Sequence, residues 1–285
     1  MTEGDRSGGT DRGVGTGRLR ERVVLITGST GIAAATARRA SDEGAAVFVI
    51  SRTAEHALEL AEGLGSNRGA GWAQADLTDE TAVDAAVAAA VERFGRIDGV
   101  FSVAGGSGRR FGDGPIHELT AEGWDRTLEL NLRSQALLAR AVTRRMLAQD
   151  PTVAGSRGSI ILCSSALAAS PVPELFATHA YAAAKGAIVS LGTAMAAAYA
   201  PQRIRVNVIA PGLTATPMSQ RAAGDAATTE FVTRKQPLVA GFLDADDIAQ
   251  AAIYLLSDES RAVTGQVLTV DGGWSVTSAS ATATP

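Results

Sequence analysis

The chain has 285 residues, 46% of them hydrophobic and 20% charged, with a formal net charge of −4. That length and apolar fraction suit one soluble α/β domain with a substantial core, and the mild acidity leaves no electrostatic footprint for nucleic acid or anionic lipid. One cysteine, Cys163, excludes an internal disulfide, and no Cys/His cluster has metal-ligand spacing, so no metal is expected.

Residues 1–17 are rich in Gly, Thr, Asp and Arg without an apolar run, which reads as a disordered leader rather than a secretory signal. Short β-branched runs then alternate with longer Ala-rich amphipathic stretches, the pattern of βαβ units. Strands are predicted at 23–27, 46–50, 71–75, 99–103, 159–163, 205–209 and 266–270. Most are continuous apolar runs, as expected where helices cover both faces of a sheet. Helices are predicted at 32–43, 54–63, 79–94, 121–149, 178–200 and 245–257, with Gly44 and Gly95 at left-handed C-terminal caps and Asp79 as an N-cap. The uncharged stretch 186–202 contains Pro201 and falls short of the roughly 20 apolar residues of a membrane helix, so no membrane association and a cytoplasmic location are expected. Residues 213–241 lack a clean period and read as a helical flap, and 275–285 as a flexible Ser/Thr/Ala tail. The whole predicts one Rossmann-type α/β domain over 18–274, a doubly wound sheet of about seven parallel strands with helices on both faces. Ligands of such sheets bind beyond the carboxyl ends of the strands.

The first strand runs into Gly28-Ser29-Thr30-Gly31-Ile32 and then a helix. Glycines at such a turn let the backbone approach a pyrophosphate, and the helix N-terminus favours its charge. About 20 residues on, the second strand ends at Ser51-Arg52. An acid there would bind the adenosine ribose of NAD and repel a 2′-phosphate; an arginine can grip that phosphate bidentately. NADP(H) is therefore favoured, with NAD(H) as the alternative.

In His179-Ala-Tyr181-Ala-Ala-Ala-Lys185 the tyrosine and lysine are four apart, one turn along one helical face. The chain holds three tyrosines and two lysines, so abundance does not account for the pair. A tyrosine must ionise near neutrality to act as general acid or base. An ammonium about 5 Å away favours the phenolate by roughly 3 kcal/mol at an effective dielectric near 20. Arginine, a wide planar fork, is a poorer point charge.

These residues resemble the classical short-chain dehydrogenase/reductase family, over about residues 20–273. Ile26-Thr27-Gly28 with Gly31-Ile32 looks like its cofactor turn, Asp76-Leu77 its adenine-contacting pair, and Ala104-Gly105 the end of its Asn-Asn-Ala-Gly motif. Asn131 and Ser165 fall at its catalytic asparagine and serine. Asn207, Pro211-Gly212 and Thr216 resemble the stretch that lines the nicotinamide, and Asp271-Gly272-Gly273 closes the last strand as in the family. The resemblance implies an oxidoreductase that interconverts a carbonyl and a secondary alcohol of a small-molecule substrate. Tyr181 would pass the proton, Lys185 would support it and hold the nicotinamide ribose, Ser165 would bind the substrate oxygen, and Asn131 would position a relay water. Ser164 rivals Ser165, which the family's spacing after the strand favours, and the competing reading of Asn131 is a helix-bending or core amide. His117 and His179 read as surface residues.

Three departures stand out. Two residues rather than three separate Gly28 from Gly31, Ala33 replaces the third glycine, and Ser102-Val103 replaces Asn-Asn; the serine-to-tyrosine interval of 16 also makes 166–178 bulge. They motivate a competing reading, a non-catalytic nucleotide-binding sensor or scaffold. Arg109 and Arg110 in the 106–115 loop read equally as solvated charges or as a site for an acidic or carrier-bound substrate. Apolar residues all round 178–200, and Leu128, Leu132, Leu138 and Val142 in 121–149, predict spare faces that pair in a homodimer or homotetramer.

Overall fold

The computed structural model describes residues 17–65 and 69–278, so the leader and most of the tail lie outside the described residues. The apolar runs form seven strands: β1 (Val23–Thr27), β2 (Ala46–Ser51), β3 (Ala70–Gln74), β4 (Gly99–Ser102), β5 (Gly158–Cys163), β6 (Ile204–Pro211) and β7 (Val267–Val270). They pair in parallel as one sheet ordered β3-β2-β1-β4-β5-β6-β7. The order reverses between β1 and β4, which opens a crevice above their carboxyl ends.

Side chains of a strand alternate between faces, and both faces here are apolar because both are covered. Leu25 of β1 packs with Val83, Val87, Leu138, Val142 and Ile188. They belong to α3 (Glu80–Phe94), α5 (Ser134–Ala148) and α7 (His179–Tyr199). Val24 and Ile26 point to the other layer, with Ala37, Ala57, Ile248 and Ile253. That layer is α1 (Gly31–Asp42), α2 (Ala54–Glu62) and α10 (Ala245–Leu256). Asp79 caps α3 by accepting from Thr81 N and Ala82 N, and Gly95 closes it in the left-handed conformation.

The long helix predicted over 121–149 is interrupted. It runs as α4 (Ala121–Leu128), a π-helical turn at Glu129–Arg133, and then α5. Such bulges mark functional positions, and this one is centred on Asn131. Leu138 and Val142, read from the sequence as spare surface, are fully buried in the chain's own core. The exposed face of α7 instead carries Ala183, Ser190, Ala194 and Ala197.

The bulge expected between Ser165 and Tyr181 is a 3₁₀ turn at Ala166–Ala168 followed by α6 (Pro173–Phe176). The aperiodic stretch forms a flap of α8 (Gln220–Ala223) and α9 (Ala226–Lys235). A small cluster of its own joins these pieces, with Phe176 and Phe231 packed on the buried Trp274. Residues 275–277, read as the start of a mobile tail, are tied down: the Thr277 hydroxyl donates to Lys235 O at 3.0 Å and Lys235 Nζ donates to Thr277 O.

Candidate functional site

The crevice is built from strand ends. Thr27, the last residue of β1, turns its hydroxyl across to β4 and accepts from Val103 N at 2.9 Å and Ala104 N at 3.0 Å. It braces the point where Ser102-Val103 offers no amide; the Ser102 hydroxyl itself is buried without a hydrogen-bond partner.

At the β1–α1 turn, Gly28 N donates to Ile50 O at 2.8 Å, which ties the start of the turn to the end of β2. Gly31 has φ +53°, and a Cβ there would lie 2.8 Å from Thr216 Cγ2. Thr30 gives α1 no side-chain cap and the first turn holds no acid, so the leading N–H groups are left to face an anion. The Ser29 and Ser51 hydroxyls lie 3.0 Å apart. A cavity of about 490 Å³ gathers this turn with Arg52, His56, Asp76, Leu77 and Gly105. Asp76 is its one carboxylate. Hydrogen bonds from Thr78 N and then Thr78 Oγ1 hold the Asp76 carboxyl below its ordinary range, and the Arg52 charge adds to this. Arg52 takes part in no ion pair among the described residues. A glycine-walled floor, an uncapped helix N-terminus and the guanidinium of Arg52, 21 residues beyond Gly31, fit the adenosine diphosphate half of a dinucleotide. His56 and Thr53 also line it; sequence reading passed over both, since neither belongs to a pattern.

A second cavity of about 440 Å³ adjoins the first and shares Gly105, Gly106, Ser107 and Thr216 with it. Ser165, Tyr181, Lys185, Pro211 and Gly212 line it. Lys185 is buried and donates from Nζ to Cys163 O at 2.8 Å, which places the ammonium 5.5 Å from the centre of the Tyr181 ring. Ser164 is buried and donates to Lys185 O at 2.7 Å, a structural bond between β5 and α7. Ser165 lines the cavity as well and is less buried than Ser164; its Oγ accepts from Leu167 N at 3.2 Å.

Asn131 is fully buried. Its Nδ2 donates to Gly106 O at 2.9 Å and Thr127 O at 3.0 Å, and its Oδ1 accepts from Gly106 N at 3.1 Å. No amide hydrogen is left for a water, so the side chain braces the loop after β4. A Cβ at Gly105 would meet Asn131 Oδ1 at 2.7 Å and Lys185 Nζ at 3.7 Å, so only glycine lets that loop pass. Asn207 is not part of the cleft: it donates to Val263 O and accepts from Gln266 N, pinning β6 to the approach of β7. His117 and His179 are exposed, as read.

Sequence reading also missed Asp113. It is 5% exposed, and its two carboxylate oxygens accept from Ala180 N and Tyr181 N at 3.0 Å each. It therefore caps α7 from the 106–115 loop, where the preceding Thr178 supplies no side-chain cap. Nothing local signals a cap 67 residues upstream.

Three comparisons place this geometry. Residues 26–275 match the family model described as enoyl-(acyl carrier protein) reductase. The chain is 34% identical over 261 residues to short-chain dehydrogenase reductase 5 of Arabidopsis thaliana, covering 91% of this chain and 96% of that protein. It is 36% identical over 259 residues to cis-4-hydroxycyclohexanecarboxylate dehydrogenase of Sinomonas cyclohexanicum, covering 89% and 96%. Among solved structures, 3-ketoacyl-(acyl-carrier-protein) reductase from Brucella melitensis, complexed with NADH, superposes with a TM-score of 0.79 at 29% identity, covering 90% of this chain and all of that one.

Proposed function

The chain belongs to the short-chain dehydrogenase/reductase family, oxidoreductases that use NAD(P)(H), and from that premise we propose an NADP(H)-preferring enzyme that interconverts a carbonyl and a secondary alcohol, with Tyr181 as general acid/base. The observation that carries the reading is one constellation: Lys185 Nζ fixed on Cys163 O beside the Tyr181 ring, with Ser165 in the same cavity.

When bound, the nicotinamide supplies or accepts the hydride. The residues of the chain do the rest. In reduction Tyr181 donates its hydroxyl proton to the substrate oxygen, and in oxidation it takes that proton back. Ser165 holds the same oxygen by a hydrogen bond and so fixes which face of the carbonyl is presented. Lys185, anchored by the Cys163 carbonyl, offers its remaining two N–H donors to ribose hydroxyls and its charge to the oxygen of Tyr181. Asn131 holds Gly106, and Asp113 holds the first turn of α7, so Tyr181 is positioned from two sides. At the other end Gly28, Ser29, Thr30, Gly31 and Ile32 take the pyrophosphate. Asp76, Leu77, Ala104 and Gly105 border the adenosine, and Pro211, Gly212 and Thr216 border the nicotinamide. The preference for NADP(H) rests on Arg52, unpaired and preceded by Ser51 rather than by an acid.

A panel of ketones and secondary alcohols, run with NADPH and with NADH, tests the reading. Nucleotide oxidation equal to carbonyl loss, faster with NADPH at low concentration, is the expected result. Binding of nucleotide without turnover of any member would favour the competing reading of a sensor or scaffold, which the short Gly28–Gly31 turn motivates.

A further inference from the structure

The wall of the substrate cavity carries four cations, Arg109, Arg110, Lys185 and Arg221, and no carboxylate. Two are accounted for. Lys185 is tied to Cys163 O, and the Arg110 guanidinium stacks on the Phe111 ring at 4.5 Å. Arg109 and Arg221 remain, one on the 3₁₀ turn of the loop after β4 and one on α8 of the flap. Neither belongs to an ion pair among the described residues.

The acids near them are spent elsewhere. Asp113, on Arg109's own loop, gives both oxygens to the first turn of α7. Asp225, the carboxylate that feels the Arg221 charge, accepts from Thr228 N and Thr228 Oγ1. Arg109 is held in place by donating from one guanidinium nitrogen to Leu175 O at 3.1 Å, which leaves its other donors open. Burial, and then repulsion by Arg221, lower the Arg109 pKa from its ordinary value. Asp113 draws on Arg109 more weakly from outside the lining, so the two like charges face a cavity whose own wall holds no carboxylate, and a ligand anion there relieves their repulsion. The same lining carries the apolar side chains of Leu167, Phe176, Met218 and Trp274.

We propose that Arg109 and Arg221 form a clamp for a carboxylate at the end of the substrate remote from the reacting carbon, so that the substrate is a keto or hydroxy acid with a short apolar body. This rests on the reading of the same cleft as a carbonyl/alcohol site. The pair spans two separate elements, which gives the flap a reason to close: the substrate's own charge joins it to the loop after β4.

Methyl ketones bearing a terminal carboxylate (4-oxopentanoate, 5-oxohexanoate and 6-oxoheptanoate) are to be compared with 2-pentanone, 2-hexanone and 2-heptanone in the presence of NADPH. The best acid is expected to exceed its neutral partner in kcat/KM by roughly tenfold or more. Arg109→Gln and Arg221→Gln should each collapse that ratio, mainly through KM, whereas Arg234→Gln, which removes a charge from the flap outside the cavity, should leave it unchanged. Equal turnover of acid and ketone would overturn the clamp while leaving the oxidoreductase reading intact. If neither series is turned over, calorimetry of heptanoate against heptanamide on the NADPH-loaded protein still decides the matter. Tighter heptanoate binding that Arg221→Gln abolishes supports the clamp, and no preference for heptanoate refutes it.

Discussion

Asp113 offers a sharp test of how the site is held, because one side chain fixes the first turn of the helix that carries both Tyr181 and Lys185. Replacing it by alanine removes the acceptor from Ala180 N and Tyr181 N, and Ala180 is fully buried, so water cannot serve its N–H. Loss of a side-chain N-cap costs about 0.5–2 kcal/mol, and a buried donor left unsatisfied about 1–3 kcal/mol. The negative charge at the helix N-terminus adds a further ~0.3–1 kcal/mol. These contributions overlap, and a total of about 2–4 kcal/mol follows. Asn at the same place keeps one acceptor oxygen and should fall between. The fraying turn carries Tyr181, and a displacement near 1 Å at a reacting group costs on the order of a hundredfold in rate. Urea unfolding gives the stability, and single-turnover oxidation of pre-bound NADPH gives the rate. Wild type should exceed Asp113→Asn, and that variant should exceed Asp113→Ala, in both, with NADPH affinity changing far less than rate. An alanine variant within about 0.5 kcal/mol and twofold of wild type would show that the cap neither stabilises α7 nor positions Tyr181.

Three further outcomes follow from the same geometry. Arg52→Ala should weaken NADPH binding by about 1.5–3 kcal/mol and leave NADH nearly unchanged, as read by fluorescence titration; equal losses for both would remove Arg52 from the phosphate. Above about pH 4 Asp76 is ionised in folded and unfolded chains alike and its contribution is complete, and it is lost as the pH falls through the depressed folded value. The Tm gap between wild type and Asp76→Ala should therefore be steady near neutrality and shrink as the pH falls below about 4, and a gap that does not shrink with acid would contradict the Thr78 bonds as its source. The small exposed residues along α7 are expected to seat against a second copy, so light scattering should give a multiple of 29.1 kDa and Ala194→Glu should lower it; a stable monomer mass would refute the pairing.

The five inner strands were legible because a strand covered on both faces must be apolar on both, whereas β3 and β7 lie at the sheet edges and are partly exposed. The Tyr181–Lys185 pair was legible because its spacing is local to one helix. What escaped was non-local. The Thr27 bond to the start of the 103–104 segment, the Asp113 cap on α7 and the cavity wall shared by Arg109 and Arg221 all join residues separated by dozens of positions. The π-helical turn at Asn131 escaped for a different reason: it shifts backbone hydrogen bonds without disturbing the apolar pattern on either side. Leu138 and Val142 misled because a periodicity count cannot tell a face turned to a partner from one turned to α3 and the sheet.

The most direct test of the central claim is transfer of the label itself. With a ketone substrate and NADPH deuterated on one face of nicotinamide C4 and then on the other, one of the two reagents should deliver deuterium to the carbinol carbon of the product, one atom per nucleotide oxidised. Tyr181→Phe should still bind NADPH yet lose that transfer by orders of magnitude. Product without deuterium from either reagent, or a phenylalanine variant that keeps more than about a tenth of the wild-type rate, would contradict direct hydride transfer with Tyr181 as its proton partner.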